Sequence, residues 1–123
     1  VVVDISGSMS SALPSVRKCL ASLAGLIEAQ DRLALVKFDN RAECVLPWTA
    51  MDDEGIQTFR AAQKDLVARG GTCFVPVLKM CLGELLQDEV PGRTRSMLFI
   101  SDGMPDERDQ DILRLVCDEC SAP

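Results

Sequence analysis

Blocks of apolar and polar positions along the chain predict an alternation of strands and helices. Residues 1–3 are valines that end at Asp4, which predicts a strand buried on both faces and followed by a polar Ser/Gly loop. Apolar residues then recur at helical spacing over 11–29, and Pro14 lies in the first turn, where its missing N–H costs little. The chain therefore opens with a strand and a helix.

A hairpin is predicted next. The apolar stretches 32–38 and 42–48 are separated by Asp39-Asn40-Arg41, a composition typical of a turn. We expect the two strands to be antiparallel. Pro47 marks the second strand as an edge, because proline cannot donate a backbone hydrogen bond to a neighbour.

Two more helices follow the hairpin. Asp52 and the acids after it predict an N-terminus, and Arg69 and Gly70 predict the end of that helix. The next helix is expected over 76–87. The inward positions of the two helices are Ile56, Phe59, Ala62, Leu66, Leu78, Cys81 or Leu82, and Leu85.

The last predicted elements are a strand over 95–101, fully buried, and a fourth helix over 106–120. No internal repeat or linker separates these elements. They predict one α/β domain over residues 1–123, with an open, mostly parallel central sheet flanked by helices.

Composition supports this fold class and excludes several partners. The chain has 123 residues, of which 47% are apolar and 4% aromatic, so its core is aliphatic, as is usual for helices packed on a parallel sheet. The net charge is −6 and the basic residues are scattered, which disfavours nucleic acid. The apolar runs are too short to span a membrane.

Histidine is absent, so the chain itself cannot form a Ser-His-Asp or Cys-His catalytic centre or bind zinc or haem through histidine. Six cysteines could pair in fifteen ways, but we favour reduced thiols in an intracellular setting, because an aliphatic core needs no staples. Cys117 and Cys120 form a CxxC at a predicted helix end without a second pair, which favours helix packing over zinc or redox chemistry.

Asp4, Ser6 and Ser8 are the first candidate site residues. In an extended segment, alternate residues face the same way, so their oxygen atoms can converge, and Gly7 lets the loop fold tightly. Carboxylates and hydroxyls are hard donors that suit Mg²⁺. The alternative is a Ser-rich turn that caps the first helix.

A second carboxylate is expected at the same place. Asp4 and Asp102 each follow one of the two most hydrophobic strands. The carboxyl ends of parallel strands open into one crevice, where ligands usually bind, so we expect the two side chains to meet there. We also expect Asp4 to lie in a solvated crevice, so that Asp4→Ala removes metal binding and leaves the fold largely intact.

Three motifs in this order resemble the loops of the metal-ion-dependent adhesion site of von Willebrand factor type A domains, the family that includes integrin I domains. They are Asp4-x-Ser6-x-Ser8 after an apolar strand, Gly70-Gly71-Thr72 before a helix, and Ser101-Asp102-Gly103 after a second apolar strand. Residues 31–38 and Leu46-Pro47 also match the family's second and third strands, so the resemblance covers nearly the whole chain.

The resemblance implies a Rossmann-like fold and a role for each motif. Ser6, Ser8 and Thr72 would contact Mg²⁺ or Mn²⁺ directly or nearly so, and Asp4 and Asp102 would act directly or through waters. The metal would keep one open position for a single Asp or Glu of a protein partner. The implied function is a metal-dependent binding module and not an enzyme.

The chain departs from the family in two ways. The family's sheet continues with further strands beyond the fourth helix, and this chain ends at Pro123. We expect a fragment that lacks those strands; the alternative is an exposed edge strand after Arg95. Cys73 also follows Thr72 where the family often has a polar residue.

Two other functions stay open. A Mg²⁺-dependent phosphoryl-transfer enzyme also places an aspartate at the end of a strand beside a hard metal, although haloacid-dehalogenase-like phosphatases have Asp-x-Asp and this chain has Ser6 at the second acid position. A degenerate domain that no longer binds metal is the other alternative; the presence of all five ligand types argues against it.

Overall fold

The computed structural model describes residues 1–85 and 96–101, whose strands form one four-stranded sheet in the order β3-β2-β1-β4. The strands are β1 (Val2–Asp4), β2 (Arg32–Phe38), β3 (Ala42–Ala50) and β4 (Phe99–Ile100). β1 runs parallel to both β2 and β4, and β3 pairs antiparallel with β2. The predicted mostly parallel α/β sheet and the antiparallel hairpin are confirmed, and the strand that contains Pro47 lies at an edge.

Among the described residues, three helices flank this sheet: α1 (Leu13–Ala24), α2 (Asp53–Ala62) and α3 (Phe74–Met80). Short 3₁₀ turns cover Gly7–Met9 and Gln63–Asp65, and a π-helical turn, Cys81–Leu85, continues α3. None of the described helices is long and apolar enough to cross a membrane. The predicted fourth helix, Asp102 and the CxxC lie outside the described residues.

α1 is shorter than the predicted helix over 11–29. Gly25 and Leu26 donate to the carbonyls of Ser22 and Leu23, three residues back, which tightens the last turn and ends the helix. Glycine is a poor helix former, and Leu26 is 81% exposed, so no packing favours another helical turn there. Ile27 still packs against the core from beyond the helix.

α2 begins as predicted and ends early. The Asp52 side chain accepts a hydrogen bond from the N–H of Gly55 at 2.8 Å, which caps the helix. The helix gives way to a 3₁₀ turn after Ala62 and does not reach Arg69. Contacts with other elements account for this: the carbonyl of Leu66 accepts from Arg17 at 2.7 Å, so this part of the chain is held by α1 instead of by its own helix.

The third helix and the last strand also differ from their predicted extents. α3 begins at Phe74, two residues before the predicted start, and residues 86–87 of the prediction are not described. β4 covers only Phe99 and Ile100, and both are half-buried, so the prediction of a fully buried strand over 95–101 is wrong for the residues that are described. Among these residues, β4 is paired only with β1, which leaves its other side uncovered.

The core has one layer on each face of the sheet. Val3 and Leu35 point towards α1 and α2, whereas Val2 and Val36 point towards α3, as the alternation of side chains along a strand requires. On the α3 side, three phenylalanine rings meet with centroids 5.1–5.7 Å apart: Phe38, Phe74 and Phe99. Because β1, β2 and β4 run parallel, their carboxyl ends lie at one edge of the sheet.

Candidate functional site

Asp4 ends β1 at this edge and is completely buried. Its Oδ1 accepts a hydrogen bond from the N–H of Ser6 at 2.8 Å, and its Oδ2 accepts from the hydroxyl of Ser101 at 2.7 Å. The expectation that Asp4 lies in a solvated crevice is therefore wrong. The two donors to its carboxylate come from the adjacent loop and from the residue that follows β4.

Ser6 and Ser8 converge, but by a different route from the predicted one. The chain turns into the 3₁₀ segment Gly7–Met9 directly after Ser6, where the N–H of Met9 donates to the Ser6 carbonyl at 2.9 Å. The turn, and not an extended segment, brings the two hydroxyl oxygens to 3.1 Å, close enough to share a hydrogen bond. Ser6 is buried and Ser8 is exposed, so the pair leads from Asp4 to the surface.

The loop that carries Thr72 is bonded to the loop after β1. The N–H of Arg69 donates to the carbonyl of Ile5 at 2.6 Å, and the N–H of Gly7 donates to the carbonyl of Gly70 at 3.0 Å. Thr72 itself is 6% exposed. The structure therefore places the first two of the three predicted motifs side by side.

Ser101 belongs to the third motif and meets Asp4, although its hydroxyl was not among the predicted ligands. Because β4 is parallel to β1, its carboxyl end reaches the same edge of the sheet. Asp102, the next residue along the chain, lies outside the described residues, so its expected meeting with Asp4 stays a prediction.

The β2–β3 turn is the part of the site that sequence reasoning missed. Asp39 Oδ2 lies 3.2 Å from Arg69 Nε, and the carbonyl of Asp39 accepts from the N–H of Cys73 at 3.0 Å. Asn40 Oδ1 accepts from the N–H of Gly71 at 2.7 Å. The turn thus holds the Thr72 loop in addition to the contacts from the Ser6 loop. Its place could have been predicted from the topology. Because β2 is parallel to β1, the turn after β2 starts at the same edge of the sheet.

Gly70 fits this arrangement because of its backbone. Its φ is +72°, in the left-handed region that favours glycine. A Cβ at this position would lie 2.9 Å from Asp39 Oδ2 and 3.1 Å from Asn40 Oδ1. The loop therefore approaches the β2–β3 turn as closely as a residue without a side chain allows.

The oxygen donors at this edge fit a small, hard divalent cation. They comprise one buried carboxylate, that of Asp4, and the hydroxyl groups of Ser6, Ser8, Ser101 and Thr72. Mg²⁺ and Mn²⁺ prefer such ligands. Within residues 1–85 and 96–101, no three acidic or cysteine side chains group together in a way that could hold a metal. A cation bound here would therefore depend on hydroxyl groups as well as on Asp4.

The sequence matches one family model. The family model described as von Willebrand factor type A domain matches residues 1–104. An uncharacterized protein of Synechocystis is 30% identical over 112 residues, which cover 90% of this chain and 26% of that protein. The chain thus spans about a quarter of the curated relative that it matches.

Solved structures share the fold at low sequence identity. A von Willebrand factor type A protein from Catenulispora acidiphila aligns with a TM-score of 0.61 and 19% identity, over 66% of this chain and 21% of that one. An uncharacterized membrane-spanning protein from Vibrio fischeri aligns with a TM-score of 0.61 and 24% identity, over 96% and 63% of the two chains. BatB from Bacteroides thetaiotaomicron aligns with a TM-score of 0.59 and 19% identity, over 75% and 47%.

Proposed function

Since this chain belongs to the von Willebrand factor type A family, we propose that it binds a protein partner through a divalent cation. Domains of this family are commonly involved in protein–protein interaction. The cation is Mg²⁺ or Mn²⁺, held at the carboxyl edge of the sheet. The residues proposed to hold it are Asp4, Ser6, Ser8, Thr72 and Asp102.

The observation that carries the proposal is the buried carboxylate of Asp4 beside two converging hydroxyl groups. A buried charge is costly unless it is paired or hydrogen-bonded. In the described part of the chain, Asp4 pairs with no Lys or Arg, and its hydrogen-bond donors are a backbone N–H and a neutral hydroxyl. Within the described residues, the Asp4 carboxylate has hydrogen-bond donors but no positively charged partner, and a divalent cation would supply positive charge there.

Each motif has a separate task in this proposal. Asp4 supplies negative charge from a rigid, buried position, and Ser6 and Ser8 supply neutral oxygens that lead to the surface. Thr72 adds a hydroxyl from a loop that two neighbouring segments hold in place. The cation, when bound, offers an open coordination position to a carboxylate of the partner.

The partner is proposed to present a single Asp or Glu to the metal, among neutral or basic residues. The chain carries a net charge of −6, and a polyacidic partner would be repelled as it approaches. Replacing the one metal-bound acid by its amide should remove most of the affinity, because an amide oxygen brings no charge to the cation.

The experiment is calorimetric titration of Mg²⁺ and of Mn²⁺ into the wild type and two variants. Asp4→Asn keeps the shape of the side chain and removes its charge, so we expect no detectable heat of binding. Ser22→Ala, at an exposed serine of α1, is the control and should bind like the wild type. Equal metal binding by wild type and Asp4→Asn would show that the site is wrongly placed.

The phosphoryl-transfer alternative gains no support from the family match, because von Willebrand factor type A domains are generally interaction modules. Turnover of a generic phosphatase substrate with and without metal tests it directly. Metal-dependent turnover that disappears in Asp4→Asn would favour the enzyme over the binding module.

A further inference from the structure

A cleft of about 400 Å³ opens beside the β2–β3 turn, and none of the proposed metal ligands is among its described lining residues. One wall is the turn with the start of β3, and the other is part of α3. We name it the Arg41 cleft. Its lining residues are Asn40, Arg41, Ala42, Pro76, Lys79 and Met80.

Two positively charged side chains, those of Arg41 and Lys79, line the Arg41 cleft, although the net charge of the chain is negative. Arg41 and Lys79 are both exposed, and neither forms an ion pair with an acid of residues 1–83 or 96–101. Arg69, next to the same turn, is by contrast paired with Asp39 at 3.2 Å. The cleft therefore offers positive charge that no described acid neutralises.

The remaining lining is mostly apolar. Ala42, Pro76 and Met80 supply methyl and methylene groups to the same cleft. A carboxylate alone would bind the charged groups of Arg41 and Lys79 and leave the apolar lining exposed to water. A carboxylate beside an aliphatic side chain would use both, which is the chemistry of a short peptide segment with an Asp or Glu next to a residue such as Leu.

One residue that lines the Arg41 cleft also holds the Thr72 loop. Asn40 lines the cleft, and its side-chain oxygen accepts from the N–H of Gly71 at 2.7 Å. The amide nitrogen of Asn40 lies 3.8 Å from Cys73 Sγ, and α3 begins at the next residue, Phe74. The cleft and the Thr72 loop thus adjoin through one side chain.

We propose that the Arg41 cleft binds a second acidic residue of the protein partner, together with an adjacent aliphatic residue. The identity of the partner as a protein rests on the function proposed above, whereas the choice of an acidic group rests on Arg41 and Lys79. The net charge of −6 disfavours a polyacidic partner, but one further carboxylate placed between two cations gains affinity.

The test uses fluorescent peptides that carry one Asp for the metal and an Asp-Leu pair at successive distances from it. Each peptide is matched by one with Asn-Leu at the same place, and binding is followed by anisotropy in Mg²⁺. For the spacing that fits, we expect the Asp-Leu peptide to bind about tenfold more tightly, because a charge-assisted hydrogen bond is lost in the Asn-Leu peptide.

Variants that remove charge then test whether the difference in peptide affinity arises in the Arg41 cleft. The double variant Arg41→Gln, Lys79→Gln should lose the tenfold difference and keep the affinity for the Asn-Leu peptide. The control double variant Lys18→Gln, Lys64→Gln removes the same charge from exposed positions outside the cleft and should keep the difference. A difference that survives the first double variant, or that disappears equally in the control, would overturn the proposal.

A metal-free measurement separates this proposal from the metal site. In EDTA, millimolar Asp-Leu peptide should shift the NMR amide signals of Arg41, Ala42 and Lys79 in the wild type and not in the first double variant. Absence of these shifts refutes the cleft, whatever the metal does. Shifts without any Mg²⁺-dependent peptide binding support the cleft and refute the metal site. Equal shifts with inorganic phosphate would indicate a general anion site and refute a peptide site.

Discussion

A carboxylate buried as completely as that of Asp4 is held by what surrounds it. One donor is the backbone of Ser6, two residues away, and the other is the hydroxyl of Ser101, 97 residues away in sequence. A carboxylate oxygen can accept more than one hydrogen bond or bind a metal as well. Burial therefore fixes the position of Asp4 without using all of its acceptor capacity, which suits a metal ligand.

Gly70 offers a test of how tightly the Thr72 loop is held. Gly70→Ala should lower the free energy of unfolding by about 1–2 kcal/mol, because a Cβ is disfavoured at positive φ and would press against Asp39 and Asn40. Gly25→Ala is the matched control: its φ is −77°, and the nearest atom to a Cβ is the flexible end of Arg60 at 3.4 Å. Urea unfolding measures both; equal stability of the two variants would contradict the prediction.

Cys81 should make the domain less stable at alkaline pH. Burial raises the pKa of the Cys81 thiol from 9.0 to about 11. The unfolded chain then loses this proton above pH 9, while the folded protein keeps it until about pH 11, so stability is complete below pH 9 and falls as the pH rises to 11. The loss from this group is on the order of 2 kcal/mol.

The measurement compares unfolding of wild type and Cys81→Ala from pH 7 to pH 11. The variant loses packing at every pH, so the difference between the two proteins matters and not either value alone. This difference should shrink above pH 9. Parallel curves would show that the thiol keeps its ordinary pKa in the folded protein.

The position of a single residue could be predicted from sequence where it depends on the residues next to it in the chain. Asp4 was correctly placed at the end of the first strand, because an apolar run followed by an acid is visible in the sequence. Its burial was not, since one of its hydrogen-bond donors is the hydroxyl of Ser101, a distant residue that follows β4. The roles of Asp39 and Asn40 were missed for the same reason: their partners lie about thirty residues away.

At the scale of elements, the cap of α2 is the clearest local determinant. Asp52→Ala should lower the free energy of unfolding by about 1 kcal/mol, because the N–H of Gly55 loses its acceptor. Asp52→Asn keeps an acceptor oxygen and should retain most of the stability. Thermal or urea unfolding distinguishes them, and a loss in Asp52→Asn as large as in Asp52→Ala would point to charge instead of the hydrogen bond.

Element starts were predicted better than element ends. The cap at Asp52 and the turn at 39–41 each depend on a few adjacent residues. The predicted starts of α2 and of β3, at Ala42, therefore matched the structure. α1 and α2 both ended before their apolar patterns did. Leu66 is buried although it lies outside α2, so its place in the core does not require the helix that periodicity assigned to it.

At the scale of the whole molecule, the order of elements was sufficient to predict the sheet. Strands that are separated by helices are expected to pair in parallel, as β1 and β4 do, and the hairpin adds an antiparallel edge. Parallel pairing in turn brings separate loops to one edge. This is why distant motifs could be expected to form one site before any contact was known.

Metal binding should stabilise the whole fold, because only the folded chain brings these distant loops together. Asp4, Ser6 and Thr72 are spread over almost seventy residues, so the unfolded chain has no comparable site. A ligand that binds only the folded state stabilises it by about 2.7 kcal/mol at a hundred times its dissociation constant. We expect thermal unfolding of the wild type to shift upward with increasing Mn²⁺ or Mg²⁺ and to return to its starting value in EDTA.

Ser8 makes this last prediction specific to the proposed ligands. Ser8 is exposed, so Ser8→Ala should leave the metal-free protein close to wild-type stability and should reduce the metal-induced shift, since one oxygen donor is lost. Ser22→Ala, an equally exposed serine on α1, should keep the full shift. If Ser8→Ala and Ser22→Ala respond to metal alike, any stabilisation arises from cations bound elsewhere on an acidic surface and not from the edge where β1 and β4 end.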